Sequence, residues 1–381
     1  MQQLGNITQS DFLKQYWQKK PLLVRQAFPN YKSPISPEEL AGLACEEGIE
    51  SRLIQEKSTE GPWQVRYGPF KEEDFTTLPT SHWSLLVQAV DHHIPELSQL
   101  LDEFNFIPNW RIDDLMISYA PIHGSVGPHL DNYDVFLLQV KGRRHWHINE
   151  HAYTEDDFDD DLELRILNSF DAEEDWILDP GDMLYLPPGV AHHGIALDDC
   201  LTFSIGFRAP SQKELLSAFT VNFNDVAKDV FYRDPKLKPQ ESPGEIKKEN
   251  IESLREMVLS ACSNKAEFAS WFGRFITDNR NDYEQDQEII GEAEFYKHFN
   301  KAKHINRYGN IRMSYIEDGD IIKLFCAGNE ISLPKLRLPL IQYLCSKHQL
   351  ECPVIMKFCD KDNAMSFLYT LYKDGYLYFD G

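Results

Sequence analysis

The stretch that decides the fold is GPHLDNYDVF at residues 127–136, taken together with PGDMLYLPPGVAHHG at residues 180–194. Successive side chains of an extended strand point to opposite faces, so His129 and Asp131, two residues apart, project to the same side. An imidazole beside a carboxylate supplies two of the three ligands of the facial triad that holds non-haem Fe(II) and leaves three coordination positions open. The first stretch therefore predicts a metal site whose third ligand comes from another strand.

Two adjacent histidines in the second stretch compete for the third position, because only one of two neighbours on a strand can face a given side. The Pro-Gly-Asp turn, apolar strand and Pro-Pro-Gly turn resemble the second motif of the cupin superfamily, and on that resemblance the ligand is His192, with His193 packing beside it. His145 and His147 form a rival His-x-His pair. Since no carboxylate stands at a matching spacing, we interpret this pair as sheet residues or as supports of the ligands.

The bulk composition limits the partners. The chain has 381 residues, enough for two or three domains, and a formal net charge of −23. Such a surface repels nucleic acid and membranes and attracts basic partners such as ribosomal proteins, although many proteins are acidic only for solubility. The sequence shows neither an apolar run of membrane-spanning length nor a secretion signal, and its seven scattered cysteines lack Cys-x-x-Cys spacing. We therefore expect a cytoplasmic protein.

Short runs of β-branched and aromatic residues, separated by Gly and Pro turns, fill residues 110–210 and predict a β-sandwich or barrel. Capping signals at Thr8 and Ser36 predict two helices before this region, the second of which is expected to end near Gly48. The acidic stretch at 155–165 interrupts the strands. We interpret it as a solvated loop, with a docking surface for a basic substrate as the alternative.

After Pro210 the strand pattern stops and apolar residues recur at helical spacing. Helices are predicted at residues 211–231, 248–262, 265–278, 292–301, 335–348 and 362–373. The first three form an insertion of a type that makes dimer contacts, although apolar helical faces more often pack within their own chain. The polar segment at 278–288 predicts a boundary, and the alternation of helices and strands beyond it is compatible with a winged helix. Since no basic face is concentrated there, DNA binding is not expected.

Several further stretches resemble the JmjC-type bacterial ribosomal oxygenases, the family of the arginine 3-hydroxylase of large-subunit ribosomal protein L sixteen. Among them are YWQKKPLLVRQAF, PISPEELAGLA, PNWRIDDLMIS, GRRHW and SIGFRAP. The resemblance implies an α+β protein with a double-stranded β-helix (cupin/JmjC) catalytic domain at 1–210, a helical dimerisation region at 211–280 and a winged-helix-like domain at 281–381. It is dense in the first of these regions and sparse afterwards.

The resemblance also implies roles for the metal and cosubstrate residues. His129, Asp131 and His192 match the Fe(II) ligands of the family. Arg144 matches the arginine that pairs with the distal carboxylate of the cosubstrate 2-oxoglutarate, and a planar guanidinium suits such a carboxylate. Arg143 is its rival, and the sequence does not separate the two.

The substrate pocket is likewise implied by the resemblance. Ser118 would contact the cosubstrate through its hydroxyl. Asp114, Tyr133 and Ser204 would hold the substrate arginine by ion pairing, stacking and hydrogen bonding. Strand parity agrees, because Asp114 shares a face with Ser118. Without the resemblance, a surface aspartate and a core tyrosine would be the preferred interpretation. The opposite face of the strand that carries Ser204 is predicted to be core, through Phe203, Ile205 and Phe207.

The predicted function is therefore Fe(II)- and 2-oxoglutarate-dependent hydroxylation of a protein, and the resemblance implies an arginine of ribosomal protein L sixteen as the substrate. Three alternatives stay open: histidyl hydroxylation of a ribosomal protein, N-methyl-lysine demethylation, and a non-catalytic cupin or winged-helix regulator. Asp114 favours a guanidinium over a neutral imidazole. A complete triad disfavours the non-catalytic cupin, and the negative charge disfavours the regulator. The expected partners are a basic protein and a second copy of the chain.

Overall fold

The computed structural model describes residues 4–56, 63–159, 165–226, 228–239, 241–278, 288–359 and 364–380. The chain divides into two compact units, of which the first comprises 1–209, 280–311 and 342–381 and the second 210–279 and 312–341. The segment predicted as a boundary, 278–288, lies almost wholly outside the described residues, as do residues 160–164 of the acidic stretch. The predicted domain limits at 210 and 280 stay predictions.

The helices and strands of the described residues follow in chain order. The helices are α1 Gln9–Gln15, α2 Pro37–Leu43, α3 Glu72–Thr76, α4 Pro95–Leu101, α5 Gln212–Val226, α6 Lys248–Ser260, α7 Lys265–Thr277, α8 Glu292–Lys301, α9 Leu338–Ser346, α10 Cys352–Cys359 and α11 Ala364–Lys373. The strands are β1 Leu22–Val24, β2 Ser51–Glu56, β3 Trp63–Tyr67, β4 Trp83–Val87, β5 Ile112–Ala120, β6 Val135–Lys141, β7 Arg144–Asn149, β8 Glu174–Leu178, β9 Met183–Leu186, β10 Ala191–Ala196, β11 Cys200–Phe207, β12 His304–Arg307, β13 Met313–Asp318, β14 Ile321–Cys326, β15 Asn329–Pro334, β16 Gln349–Glu351 and β17 Leu377–Tyr378. None of these helices is long and apolar enough to cross a membrane.

Two antiparallel sheets form the barrel of the first unit. The larger has eight strands in the order β1-β9-β6-β11-β5-β4-β2-β3, and the smaller has three in the order β10-β7-β8. Apolar side chains of both sheets meet in one cluster, which includes Leu137 and Leu184 from the larger sheet and Trp146, Ile148 and Leu178 from the smaller. Facing antiparallel sheets of this kind form the predicted double-stranded β-helix, so the predicted fold is confirmed.

The other face of the larger sheet supports the barrel. Phe203, Ile205 and Phe207 on β11 are fully buried there, as predicted from alternation along the strand. They belong to a large core that also takes in Phe12 of α1 and Leu40 of α2. The helices of the N-terminal region therefore cover one face of the sheet and leave its opposite face to line the site.

A buried carboxylate fastens this N-terminal region to the barrel. Asp134 accepts hydrogen bonds from the Tyr185 hydroxyl at 2.6 Å and from Gln18 Nε2 at 3.0 Å. Arg111 Nη2 lies 3.2 Å from the same carboxylate. A buried charge is tolerated only when it is paired and hydrogen-bonded, and all three partners meet that condition.

Helix α2 begins as predicted and ends earlier than predicted. Ser36 Oγ accepts from the Glu39 amide at 3.2 Å, and the Glu39 carboxylate accepts from the Ser36 amide at 2.7 Å, which completes the capping box. The helix ends at Leu43 rather than near Gly48. The reason is that the Ala44 carbonyl accepts from the Phe70 amide at 2.9 Å, so it is directed away from a continuing helix.

The second unit contains α5, α6, α7 and the antiparallel sheet β13-β14-β15. Helices α6 and α7 match their predicted ranges closely. Gly273 of α7 lies against the ring of Phe325 on β14 and leaves no space there for a Cβ atom. Trp271 of the same helix packs against Phe219 of α5, with ring centroids 5.0 Å apart. Aromatic packing therefore joins two of the three helices and the sheet.

Candidate active site

The metal site lies where the segment after β5 meets β10. His129 and His192 form a single antiparallel bridge, in which each amide donates to the other residue's carbonyl, at 3.0 and 2.8 Å. The predicted strand at His129 is thus one bridge rather than a regular strand, because the chain enters it through Gly127 with a φ of +82° and bends again after Asp131. The two ligands that are remote in sequence are nevertheless brought side by side.

The three predicted ligands converge. The donor atoms of His129, Asp131 and His192 all lie within 4.8 Å of one another. His192 Nε2 lies 3.8 Å from Asp131 Oδ2, and the two imidazole centroids are 4.3 Å apart. Two imidazoles and one carboxylate on one side of an ion are the donor set that Fe(II) takes in facial-triad oxygenases, so these residues fit that metal.

Main-chain carbonyls orient both imidazoles. His129 Nδ1 lies 3.0 Å from the Gly127 carbonyl oxygen, and His192 Nδ1 lies 3.1 Å from that of Val190. When each Nδ1–H donates to its carbonyl, each Nε2 is left with a lone pair directed at the metal position. Burial, and after it the neighbouring His129, lowers the pKa of His192 to about 4. His192 is therefore neutral near pH 7, the state that ligation requires.

His193, His147 and His145 lie on the face of the smaller sheet opposite to His192. His193 pairs with His147 in the register between β10 and β7, on the side away from His192. His145 Nε2 lies 2.6 Å from Asp175 Oδ2, so its partner is a surface carboxylate rather than the triad. This placement agrees with the interpretation of these histidines as sheet residues.

Arg144 places a guanidinium between the two sheets. Its side chain is buried, and its Nη1 lies 3.2 Å from Ser118 Oγ and 3.4 Å from Thr202 Oγ1. Within the described ranges no carboxylate forms an ion pair with Arg144, and its Nε has no hydrogen-bond partner. A buried cation without a counter-ion is costly, so this position fits an anionic ligand such as the distal carboxylate of 2-oxoglutarate.

Arg143 points the other way. Its side chain is about half exposed and its Nε lies 3.3 Å from Asp198 Oδ2, while its amide donates to Asp198 Oδ1 at 2.6 Å. It is paired at the surface and faces away from the metal ligands. Of the two arginines that the sequence left unresolved, Arg144 is the buried one and Arg143 is the one paired at the surface, and the assignment of Arg144 to the cosubstrate stays a prediction.

Sequence reasoning missed three residues that support Arg144, the residue predicted to bind the cosubstrate. Thr202 Oγ1 donates to Gln139 Oε1 at 2.9 Å, and the Gln139 amide donates in turn to the carbonyls of Lys141 and Gly142. Trp146 lies between Arg144, whose guanidinium carbon is 5.5 Å from the ring, and His192, whose ring centroid is 5.7 Å away. Two of these residues could have been recognised from the alternation of side chains along a strand. Thr202 shares a face with Ser204, and Trp146 shares one with Arg144.

Two of the predicted substrate residues, Ser204 and Tyr133, lie in different surroundings. Ser204 is buried between Met116 and Leu137 in the sheet register. Tyr133 is 42% exposed, and its partial burial, the charge of Asp131, a hydrogen bond to Asp131 and the charge of Asp114 raise its pKa. The Tyr133 hydroxyl is therefore hydrogen-bonded to a metal ligand.

Comparison with known proteins places the chain in a class and a family. The family model described as the JmjC domain matches residues 99–215, and the one described as the ROXA-like winged helix matches residues 258–378. The fold and the site thus define a JmjC-type oxygenase, a class that uses Fe(II) and 2-oxoglutarate. The ribosomal protein uL16 3-hydroxylase of Escherichia coli K12 is 36% identical over 375 residues, which cover 97% of each chain. The chain therefore belongs to the bacterial ribosomal oxygenases.

Solved structures agree with this assignment. The X-ray structure of E. coli ycfD matches with a TM-score of 0.87 at 35% identity and covers 98% of this chain and 99% of that one. A structure of the E. coli ribosomal oxygenase YcfD in complex with cobalt and 2-oxoglutarate matches with a TM-score of 0.83, again at 35% identity, and covers 99% of each chain. The predicted class, metal and cosubstrate are thereby confirmed.

Proposed function

We propose that this chain hydroxylates an arginine side chain of a basic ribosomal protein, with uL16 as the first candidate. The observation that carries the proposal is a carboxylate, Asp114, whose charge acts on the aromatic side chain of Tyr133, itself hydrogen-bonded to the ligand Asp131. A guanidinium can pair with the first and stack on the second. The similarity to a uL16 3-hydroxylase over nearly the whole chain supports the same substrate.

In this proposal each group has one task. His129, Asp131 and His192 would hold Fe(II), which together with 2-oxoglutarate would activate O2, so that one oxygen atom is added to the substrate C–H bond and the other enters succinate as 2-oxoglutarate loses CO2. Ser118 and Arg144 orient the cosubstrate through its carboxylate. Asp114, Tyr133 and Ser204 orient the substrate side chain so that a particular C–H bond lies next to the metal, and the neighbouring apolar side chains exclude water.

The test uses the full chain with Fe(II), 2-oxoglutarate and a set of peptides from basic ribosomal proteins. Fragmentation mass spectrometry should find one added oxygen atom on an arginine of a uL16 peptide, and succinate should form in equal amount. Replacing that arginine by lysine in the peptide should abolish the added oxygen. An added oxygen on a histidine, or on no peptide of the set, would contradict the proposal.

The remaining alternatives give different products. A histidyl hydroxylase would modify a histidine of another ribosomal peptide. An N-methyl-lysine demethylase would release formaldehyde from a methylated peptide, which the arginine reaction does not do. A non-catalytic protein would form no succinate in the presence of any peptide. Measurement of formaldehyde and succinate in the same reactions therefore separates these functions.

We also propose a cytoplasmic homodimer that assembles through the helices α5 and α6. Both helices expose large apolar side chains, among them Val221 on α5 and Val258 on α6, which are 62% and 73% exposed. Large exposed apolar residues on the helices of one region are typical of an interaction surface. Light scattering should give twice the chain mass for the wild type and the monomer mass for Val258→Lys; an unchanged mass would contradict the assignment of this surface.

A further inference from the structure

Three polar side chains, Arg52 on strand β2, Gln88 and Asp114, form a row of contacts. The Ala89 amide donates to Asp114 Oδ2 at 2.9 Å. When the Gln88 amide is oriented to suit both neighbours, its nitrogen donates to the same oxygen at 3.1 Å and its oxygen accepts from Arg52 Nη2 at 2.9 Å. The reverse amide orientation would set oxygen against carboxylate and NH2 against guanidinium, so the two neighbours together fix Gln88.

The backbone holds this chain of contacts in place. Gln88 directly follows β4, and its main-chain amide donates to the Glu50 carbonyl at 2.9 Å, next to the start of β2. Arg52 pairs with Leu86 across β2 and β4, and Leu86 pairs with Ser118 across β4 and β5. Arg52 therefore belongs to the row of side chains that runs across the sheet to the cosubstrate position.

Arg52 carries a positive charge close to the substrate pocket. Its Nη2 lies 2.9 Å from the Gln88 amide oxygen, one side chain away from Asp114. In the described part of the chain, its Nε is buried without a hydrogen-bond partner. An arginine placed directly on Asp114 would neutralise that carboxylate and compete with a substrate guanidinium. Gln88 lies between Arg52 and Asp114. It is oriented by Arg52 and in turn orients the Asp114 carboxylate, but it carries no charge of its own.

We propose that Gln88, itself oriented by Arg52, is a positioning residue that sets the selectivity of the site for a guanidinium. It holds Asp114 Oδ2 with a neutral N–H donor and keeps the Arg52 cation one side chain away from that carboxylate, so that the carboxylate is oriented towards the substrate guanidinium. This inference rests on the proposed function, because it takes Asp114 as the group that binds the substrate arginine.

The test measures KM for the arginine peptide and KM for 2-oxoglutarate separately in Gln88→Leu and Arg52→Met. Each variant should raise the peptide KM about ten-fold, the effect of losing one hydrogen bond to a charged group. The KM for 2-oxoglutarate should change less than about two-fold, because neither residue touches that position. The double variant should be no worse than the more affected single variant, since both act through one contact to Asp114.

Two further variants separate positioning from folding. Gln88→Glu keeps the shape of the side chain but sets a second carboxylate against Asp114, so the peptide KM should rise at an unchanged melting temperature. Gln55→Leu changes the same residue type on β2, three residues beyond Arg52 and on the opposite face of the strand, and should leave both KM values unchanged.

The outcomes keep the two proposals apart. Arginine hydroxylation by the wild type with an unchanged peptide KM in Gln88→Leu and Gln88→Glu would overturn the role of Gln88 and leave the proposed function intact. A wild type that does not accept an arginine peptide would overturn both. Equal rises in both KM values would also overturn the role of Gln88, because they indicate a general disturbance of the barrel.

Discussion

His129 and His192 exchange both of their main-chain hydrogen bonds, at 3.0 and 2.8 Å. The Asp131 carbonyl accepts from the Gly189 amide at 2.8 Å, in the turn just before β10. The backbone thus fixes all three ligand residues relative to one another before any metal binds. Because the ligands are positioned in advance, metal binding does not have to order this part of the chain.

Removal of one ligand should remove the metal. Asp131→Ala and His192→Ala should each lose stoichiometric Co(II) binding in calorimetry and all succinate formation, because two remaining ligands hold a divalent ion only weakly. His147→Ala is the matched control, since His147 lies on the other face of the smaller sheet. Retained Co(II) binding in His192→Ala would show that the ligand has been assigned wrongly.

Substitution of the two neighbouring arginines should have very different effects on the Kd for 2-oxoglutarate. Arg144→Met should raise the Kd for 2-oxoglutarate about 10- to 100-fold, because a charged, buried hydrogen-bonding partner is lost. Arg143→Met should leave that Kd unchanged within about two-fold, because it breaks only an exposed pair with Asp198. Calorimetric titration of 2-oxoglutarate in the presence of Co(II) measures both. A raised Kd in Arg143→Met together with an unchanged Kd in Arg144→Met would show that Arg143 binds 2-oxoglutarate.

Gly194 should not tolerate a methyl group. A Cβ atom there would lie 2.7 Å from the nearest ring atom of Trp146, the residue packed between Arg144 and His192. Gly194→Ala should therefore lower the free energy of unfolding by about 1–3 kcal/mol, measured by urea unfolding. Gly42→Ala is the control, because open space surrounds that helical glycine, and it should stabilise the protein slightly. Equal unfolding free energies for wild type and Gly194→Ala would mean that the tryptophan moves aside at little cost.

His348, whose side chain is 13% exposed, should make the free energy of unfolding depend on pH. Its Nδ1 lies 2.7 Å from Asp102 Oδ1, and Arg307 Nη2 lies 3.0 Å from its Nε2. Burial, followed by the charge of Arg307, lowers the pKa of His348 to about 4, against the opposing effect of Asp102. In the unfolded chain the pKa is about 6.5, so the unfolded state binds the extra proton between these values.

The stabilising contribution of the neutral His348 is therefore complete above about pH 6.5 and is lost as the pH falls towards about 4, by up to about 1.4 kcal/mol per pH unit. His348→Asn keeps an N–H donor for Asp102 but cannot titrate. Urea unfolding between pH 7 and pH 5 should give a shallower loss of stability for this variant than for the wild type. Parallel curves would show that His348 does not titrate differently in the two states.

Local sequence patterns predicted much of this protein because the relevant physics is local. Helix α7 at Lys265–Thr277 and helix α8 at Glu292–Lys301 follow from the spacing of apolar residues. The capping box at Ser36 follows from residues three positions apart. The end of α2 did not follow, because the Phe70 amide that takes the Ala44 carbonyl is remote in sequence.

The sequence by itself determined the composition of the metal site, since alternation along a strand puts His129 and Asp131 on one side and allows one of two neighbouring histidines as the third ligand. Tertiary structure alone decided which of the two arginines is buried between the sheets, and it placed Thr202, Gln139 and Trp146 around Arg144. These contacts depend on the pairing register of distant strands and on the packing of two sheets. Neither is encoded in the spacing of residues along one segment, which is why no local pattern could reveal them.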